Sequence, residues 1–193
     1  MRNKKLQILV EGAVMVALAT VLSFIPIVQM PWGGTVTLLS MLPIVIFSIR
    51  RGLAAGFTVS VLYGLIQFAQ GAMKGLFGWG LTPGMLIACI FLDYIGAYAV
   101  LGIAGIFRKK KFPGWMGGTA LAVGLRFFCH FLSGAVIWQS VGELWPGFST
   151  DNTYLYSLLY NGAYMLPELI LTLAGAVALL KLPQTKKFIL MPE

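Results

Sequence analysis

The sequence predicts an all-α integral membrane protein with six transmembrane helices and both termini in the cytoplasm. Three observations predict it. Of 193 residues, 59% are hydrophobic and only 10% charged, with a mean hydropathy of +0.87, whereas a soluble domain carries about 25% charge. Apolar runs of membrane-spanning length recur along the chain. Basic residues gather at alternate connections between those runs, as the positive-inside rule requires. Six spans of ~20 residues leave about 70 for loops and tails. That excludes a built-in ATPase, kinase or nucleic-acid-binding module, so residues 1–193 read as a single six-helix membrane domain. The net charge of +8 is then a topology signal and not a sign of a nucleic-acid partner.

The N-terminus, Met1-Arg-Asn-Lys-Lys before an apolar stretch, imitates a secretory signal. It lacks an A-x-A-like cleavage site, so residues 7–28 read as the first span. The second, 35–49, is short and holds Pro43, which leaves a tilted, broken or partly re-entrant helix open there. The remaining spans are expected at 52–72, 85–107, 116–140 and 154–180, separated by Gly, Pro and charge. Arg2, Lys4 and Lys5 precede span 1, Arg50 and Arg51 join spans 2 and 3, Arg108 to Lys111 join spans 4 and 5, and Lys181, Lys186 and Lys187 follow span 6. Twelve of the fourteen basic residues therefore share one side, which is the cytoplasm. The opposite connections, around 29–34, 69–84 and 141–153, carry only Lys74, Glu143 and Asp151. There is no internal repeat, which argues against transporters built on inverted repeats. Cys89 and Cys129 lie in apolar runs and match no metal or redox spacing.

A charge inside a bilayer costs at least ~2.5–3.5 kcal/mol on insertion scales, so each one needs a partner or a purpose. Asp93, Arg126, His130 and Glu168 fall well within spans, while Glu11 is near the cytoplasmic end of span 1 and reads as meeting the basic interface. At ~1.5 Å per helical residue, Asp93 lies ~12 Å, His130 ~15 Å and Arg126 ~21 Å below the outer surface. Arg126, His130, Gly134 and Trp138 share one helix face at four-residue spacing, as do Tyr156, Tyr160, Tyr164 and Glu168, with Asn161 adjoining. Lipid would penalise both polar stripes, so they should face each other. With Trp32 in the first outer loop, these residues outline a pocket in the outer half of the membrane. Alternative readings stand beside this one: Trp79 and Trp145 as an interfacial aromatic belt, and Arg126 as a structural counter-ion to Asp93.

Aromatic faces attract cations, and a carboxylate both balances positive charge and accepts hydrogen bonds from amino groups. Asn and Tyr add neutral donors and acceptors. The inferred ligand is small, aromatic, nitrogen-rich and compatible with positive charge. No P-loop is present, so any ATP must be hydrolysed by partner subunits.

The segments Met30-Pro-Trp-Gly-Gly-Thr-Val-Thr, Arg51-Gly-Leu-Ala-Ala-Gly, Phe91-Leu-Asp-Tyr, Arg126-Phe-Phe-Cys-His-Phe-Leu-Ser-Gly and Tyr156-Ser-Leu-Leu-Tyr-Asn-Gly resemble those of the ThiT family. Its members are the thiamine-specific S components of energy-coupling factor (ECF) transporters, and the likeness covers essentially the whole chain in order. The resemblance implies a bacterial plasma-membrane protein that captures thiamine with high affinity in an outward-facing pocket. It is not an enzyme, needs no cofactor or metal, and works with an ECF coupling membrane protein and two ATPase subunits. It implies that Trp32 and Trp138 pack on the thiamine rings, that Asp93 replaces an acidic residue often written Glu, and that Tyr94, His130, Tyr156 and Asn161 complete the site. Residues 73–84 depart from the family pattern, where a Tyr of some relatives has no clear match and Trp79 is the candidate substitute. Span 1 also carries Ala13-x-x-x-Ala17, a small-xxx-small pattern that lets helices approach closely, and the resemblance makes it the docking face for the coupling protein. Two alternatives remain: an S component for another vitamin or cofactor precursor, since function belongs to the site and not the fold, and a small intramembrane enzyme using Asp93 and His130 as acid and base.

Overall fold

The computed structural model describes residues 4–190, without the side chains of Trp32, Phe188 and Leu190; Arg2 lies outside the described residues. Helix α1 (Lys4–Ser23) leads into a hairpin of β1 (Pro26–Gln29) and β2 (Thr35–Thr37), then α2 (Leu42–Arg51) and α3 (Leu53–Met73). Two long helices follow, α4 (Pro83–Gly105) and α5 (Arg108–Trp138). A second hairpin, β3 (Gly142–Trp145) with β4 (Phe148–Thr150), precedes α6 (Thr153–Lys181) and the short α7 (Pro183–Leu190). Among the described residues, α1, α3, α4, α5 and α6 are long and apolar enough to cross a membrane.

The segment 35–49, expected as a short span with a tilted, broken or partly re-entrant helix left open, is divided between a strand and a helix. Thr35, Val36 and Thr37 form β2 and pair antiparallel with β1, Val28 opposite Val36 and Gln29 opposite Thr35. Helix starts only at Leu42, with Pro43 in its first turn. The cause is local. The proline ring obstructs helix on its N-terminal side, and the β-branched triplet favours an extended backbone. At ten residues, α2 is ~15 Å long, half the hydrocarbon thickness. It survives at membrane depth because it is encased, with every residue from Leu42 to Arg50 buried. Residues 24–28, expected as the end of span 1, lie beyond the helix, which ends at Ser23; Pro26 has no N–H to continue the ladder and disfavours helix in the residue before it. Helix α5 begins well before residue 116, because the basic connection shrinks to a single 3₁₀ turn, Arg108–Lys110.

The helices close on α2 through small residues, as membrane packing favours. Ser48 of α2 is fully buried, and Gly56 of α3 and Gly105 of α4 both abut it where a Cβ would collide. Gly52 ends α2 at φ +84°, a conformation open to glycine, which allows the direct turn into α3. The basic turns meet at one end of the bundle. Glu11 pairs with Arg50 at 3.1 Å and Arg51 at 2.7 Å, as the sequence reading expects. Arg108 donates to the Arg50 carbonyl at 3.1 Å. Leu180 and Ile189, from α6 and α7, pack there with Ile49 and Trp115.

Two irregularities position the site. Both α4, over Ile90–Gly96, and α5, over Gly134–Trp138, are wound as π-helix, a geometry that recurs at functional sites.

Candidate functional site

At the end opposite the basic turns, the first hairpin, α3, α4, α5 and α6 enclose a cavity of about 1330 Å³. Asp93, Tyr94, His130, Trp138, Tyr156 and Asn161 all line it. Of Trp32 only the backbone is described: it sits in the 3₁₀ turn Pro31–Gly33 at the hairpin tip, between two residues that themselves line the cavity. Ala13 and Ala17 are exposed on the outer face of α1, away from it.

Asp93 is the hub of the site. One carboxylate oxygen meets His130 Nδ1 at 2.9 Å. The other accepts from the Ser133 hydroxyl, from Trp138 Nε1 at 3.2 Å and from the Cys89 thiol at 3.3 Å. A carboxylate only accepts, so His130 Nδ1 carries the proton. In the neutral ring the other nitrogen, Nε2, is then an acceptor, and it has no hydrogen-bond partner among the described residues. Asp93 thus fixes both the His130 tautomer and the Trp138 indole, an arrangement by which one side chain orients two others.

The level below holds Arg126, 6% exposed. Its Nη2 donates to the Tyr98 hydroxyl at 2.8 Å, its Nη1 lies 2.8 Å from Met41 Sδ, and the guanidinium stands 4.3 Å over the Tyr98 ring. Arg126 as counter-ion to Asp93 is therefore corrected: among the described residues no ion pair joins them. Helical register explains the outcome. Arg126 and His130 are four apart on α5, one turn, while Tyr98 and Asp93 are five apart on α4. In a straight α-helix, five residues overshoot a turn by about 140°. The π-turn between them, closed by i→i+5 bonds, returns Tyr98 to the face of Asp93. Two levels result, Asp93 with His130 and Tyr98 with Arg126. Beside them Glu168, also lining the cavity, accepts from the Thr37 backbone N–H at 2.6 Å and the Thr37 hydroxyl at 2.7 Å, which ties α6 to β2.

Aromatic rings form the walls. Trp79 meets Trp138 edge-on at 5.5 Å, and Tyr94 meets Phe68 at 5.7 Å. Gly71 makes the position of Tyr94 possible, since its missing Cβ is where the Tyr94 hydroxyl lies. Tyr156, Tyr160 and Tyr164 run down α6 at centroid spacings of 6.3 and 5.9 Å. Asn161 braces α5 to α6: its Nδ2 donates to the His130 carbonyl at 3.3 Å and the Ser157 carbonyl at 2.9 Å, while its Oδ1 accepts from the Tyr164 hydroxyl at 2.8 Å.

Tyr160 also clamps the hairpin tip. Its hydroxyl accepts from the Gly34 N–H at 3.1 Å and donates to the Pro31 carbonyl, and Gly34 lies so close to Tyr164 that a Cβ would sit 2.7 Å from its ring. Tyr160→Phe removes both bonds while keeping the ring. The expected result is faster amide exchange over residues 31–37 and a stability loss of about 1–2 kcal/mol, measured by hydrogen exchange and thermal unfolding. Unchanged exchange in that segment would refute the clamp.

Sequence reasoning missed Ser133, Cys89 and Tyr98. The spacing rule that found Trp138 contains a signal for the first two, since Ser133 is three residues from His130 and Cys89 four from Asp93. Tyr98 carries no such signal, because its register depends on the π-turn. No group of three or more His, Cys, Asp or Glu gathers to hold a metal among the described residues.

Comparison with known proteins is consistent along the chain. The family model for thiamine transporter protein (Thia_YuaJ) matches residues 9–189. The chain is 35% identical over 186 residues to the thiamine transporter ThiT of Bacillus subtilis, covering 88% of each. It is 25% identical to ThiT of Lacticaseibacillus paracasei, over 93% of this chain and 89% of that one. A solved structure of ThiT from Listeria monocytogenes superposes with a TM-score of 0.75 at 26% identity, covering 98% of this chain and all of that one. A multi-pass membrane protein with apolar helices, matched over nearly its whole length, this chain belongs to the thiamine transporter protein family, whose members are transporters and not enzymes.

Proposed function

We propose that this protein is the thiamine-binding S component of an ECF-type vitamin uptake transporter, and that it captures thiamine with high affinity in the cavity described above. In this reading α2 and the preceding hairpin complete a six-pass topology, both termini are cytoplasmic, and the cavity opens outward. The observation that carries the proposal is the Asp93 hub inside an aromatic enclosure. A carboxylate beside tryptophan faces suits a cationic thiazolium, and the unpartnered His130 Nε2 suits an amino group that needs an acceptor. Trp32 and Trp138 pack on the thiamine rings, Asp93 and His130 supply charge and polarity, and Tyr94, Tyr156 and Asn161 shape the remaining walls. Transport requires an ECF coupling membrane protein, docked on α1 at Ala13 and Ala17, and two ATPase subunits, since the chain itself has no nucleotide-binding motif.

The purified protein, alone in detergent and without ATP, is expected to bind thiamine and to lose tryptophan fluorescence as the electron-poor thiazolium stacks on an indole. Calorimetry and fluorescence titration test this together. Failure of thiamine to bind, with another vitamin binding in its place, would move the protein to a different ligand within the same receptor class.

A further inference from the structure

We propose that Ser133 is a positioning residue of the binding site: it does not meet the ligand, but it holds the Asp93 carboxylate in the orientation that sets the His130 ring and the Trp138 indole. Its contribution to affinity rests on the thiamine reading above; its hold on the imidazole does not. Ser133 is fully buried on α5, three residues after His130, and it does not line the cavity. Its hydroxyl nevertheless reaches Asp93 Oδ2.

That direction departs from the local habit of a helix hydroxyl. Thr20, Ser48, Thr58 and Thr119 each donate to the carbonyl four residues back, at 2.8–3.1 Å. For Ser133 that carbonyl belongs to Cys129. A hydroxyl has a single proton to give, and Ser133 gives it across the helix pair to α4. Both helices are irregular there, since Asp93 sits within the π-turn of α4 and Ser133 immediately precedes that of α5. The backbone that carries Ser133 is held from the other side. Gly134 lies so close to the Ser157 hydroxyl on α6 that a Cβ would collide with it.

The four donors on Asp93 are not equivalent. His130 and Trp138 line the cavity and are the groups being placed. Cys89 offers a thiol, a weak donor, at 3.3 Å. Ser133 is the remaining strong donor, fixed behind the wall. A carboxylate turns about χ2 in a broad, two-fold well. A hydroxyl anchored on Oδ2 stops that turn and leaves Oδ1 to His130 Nδ1. Without Ser133 the two oxygens become interchangeable, and the imidazole is free to carry its proton on Nε2. The ring would then present a donor where the ligand's amino group needs an acceptor.

The sequence contains one histidine, so isotopic nitrogen labelling of histidine gives an unambiguous tautomer reading by NMR, at a pH where imidazole is neutral. The ligand-free wild type in detergent should carry the proton mainly on Nδ1. Ser133→Ala should raise the Nε2–H fraction and weaken thiamine binding, measured by calorimetry, about tenfold or more, the scale for a hydrogen bond to a charged group. Ser133→Cys, of similar size with a weaker donor, should fall between. The loss from Ser133→Ala should shrink in an Asp93→Asn background, where there is no carboxylate left to hold. A lower melting temperature with wild-type tautomer and affinity would reduce Ser133 to packing and overturn the proposal. Lost affinity with an unchanged tautomer, or fully additive losses in the double variant, would overturn it as well. Should thiamine fail to bind the wild type, the thiamine reading falls, and the tautomer comparison still decides the role of Ser133.

Discussion

Replacing Ala13 and Ala17 together by leucine is expected to abolish thiamine uptake by cells while thiamine binding by the purified protein persists. Both alanines are exposed on α1, among Val10, Val14, Leu18 and Val21, which are also exposed. The seam that α1 presents to its own bundle is a different one, Gly12, Val16 and Ala19. Leucine on the outer face meets lipid in the isolated protein, and its helix propensity is close to that of alanine, so neither the fold nor the cavity should respond. In a complex, two isobutyl groups would hold a partner helix away from a backbone that alanine lets approach closely. Uptake should therefore fall to background in cells expressing the whole transporter, and the coupling protein should no longer co-purify. Normal uptake with an intact complex would show that docking uses another face. Loss of thiamine binding by the isolated variant would show instead that a change at Ala13 and Ala17 reaches the cavity, which α1 touches only at its far end, through Ser23.

The membrane class, the long apolar helices and the gathering of basic turns at one end were legible because each rests on a signal local in sequence, hydropathy or charge. The same holds for the α5 stripe, where four-residue spacing puts His130, Gly134 and Trp138 over Arg126. What the sequence concealed depends on interactions distant along the chain. Thr35–Thr37 becomes a strand only because Pro26–Gln29 is there to pair with it, and α2 can be half the membrane thickness only because the surrounding helices encase it. The partner of Arg126 was misjudged for a related reason. Opposite charge alone suggests Asp93 as a partner, but the π-turn in α4 delivers Tyr98 to Arg126 and leaves Asp93 to His130. Such turns leave no clear mark in residue type. Ser133 and Cys89 differ, because their spacing was readable and their small side chains simply drew no attention beside charge and aromatic rings.

Asp93→Asn should weaken thiamine binding by about 1.5–3 kcal/mol, roughly 10- to 150-fold, through loss of a charge-assisted contact. The geometry gives that loss a second cause. Four donors converge on the carboxylate, and an asparagine amide can satisfy them with one oxygen only; its NH₂ would face a hydroxyl, an indole N–H or an imidazole N–H. His130 is then released from the tautomer that Asp93 imposes, and Trp138 from its orientation. Asp93→Glu keeps the charge and the acceptor pair, so it should retain most of the affinity. If Asp93 served only to neutralise Arg126, Asp93→Asn would lower stability with affinity intact, and adding Arg126→Met would restore that stability. The absence of an ion pair between them predicts the reverse. The double variant should bind no better than Asp93→Asn, and it should be less stable, because Arg126→Met also removes the Tyr98 contacts at the level below. Calorimetric affinity and ligand-free thermal unfolding, measured on wild type, both Asp93 variants and the double variant, separate the two accounts. Rescue of stability in the double variant would sink the two-level arrangement, and wild-type affinity in Asp93→Asn would remove Asp93 from thiamine recognition.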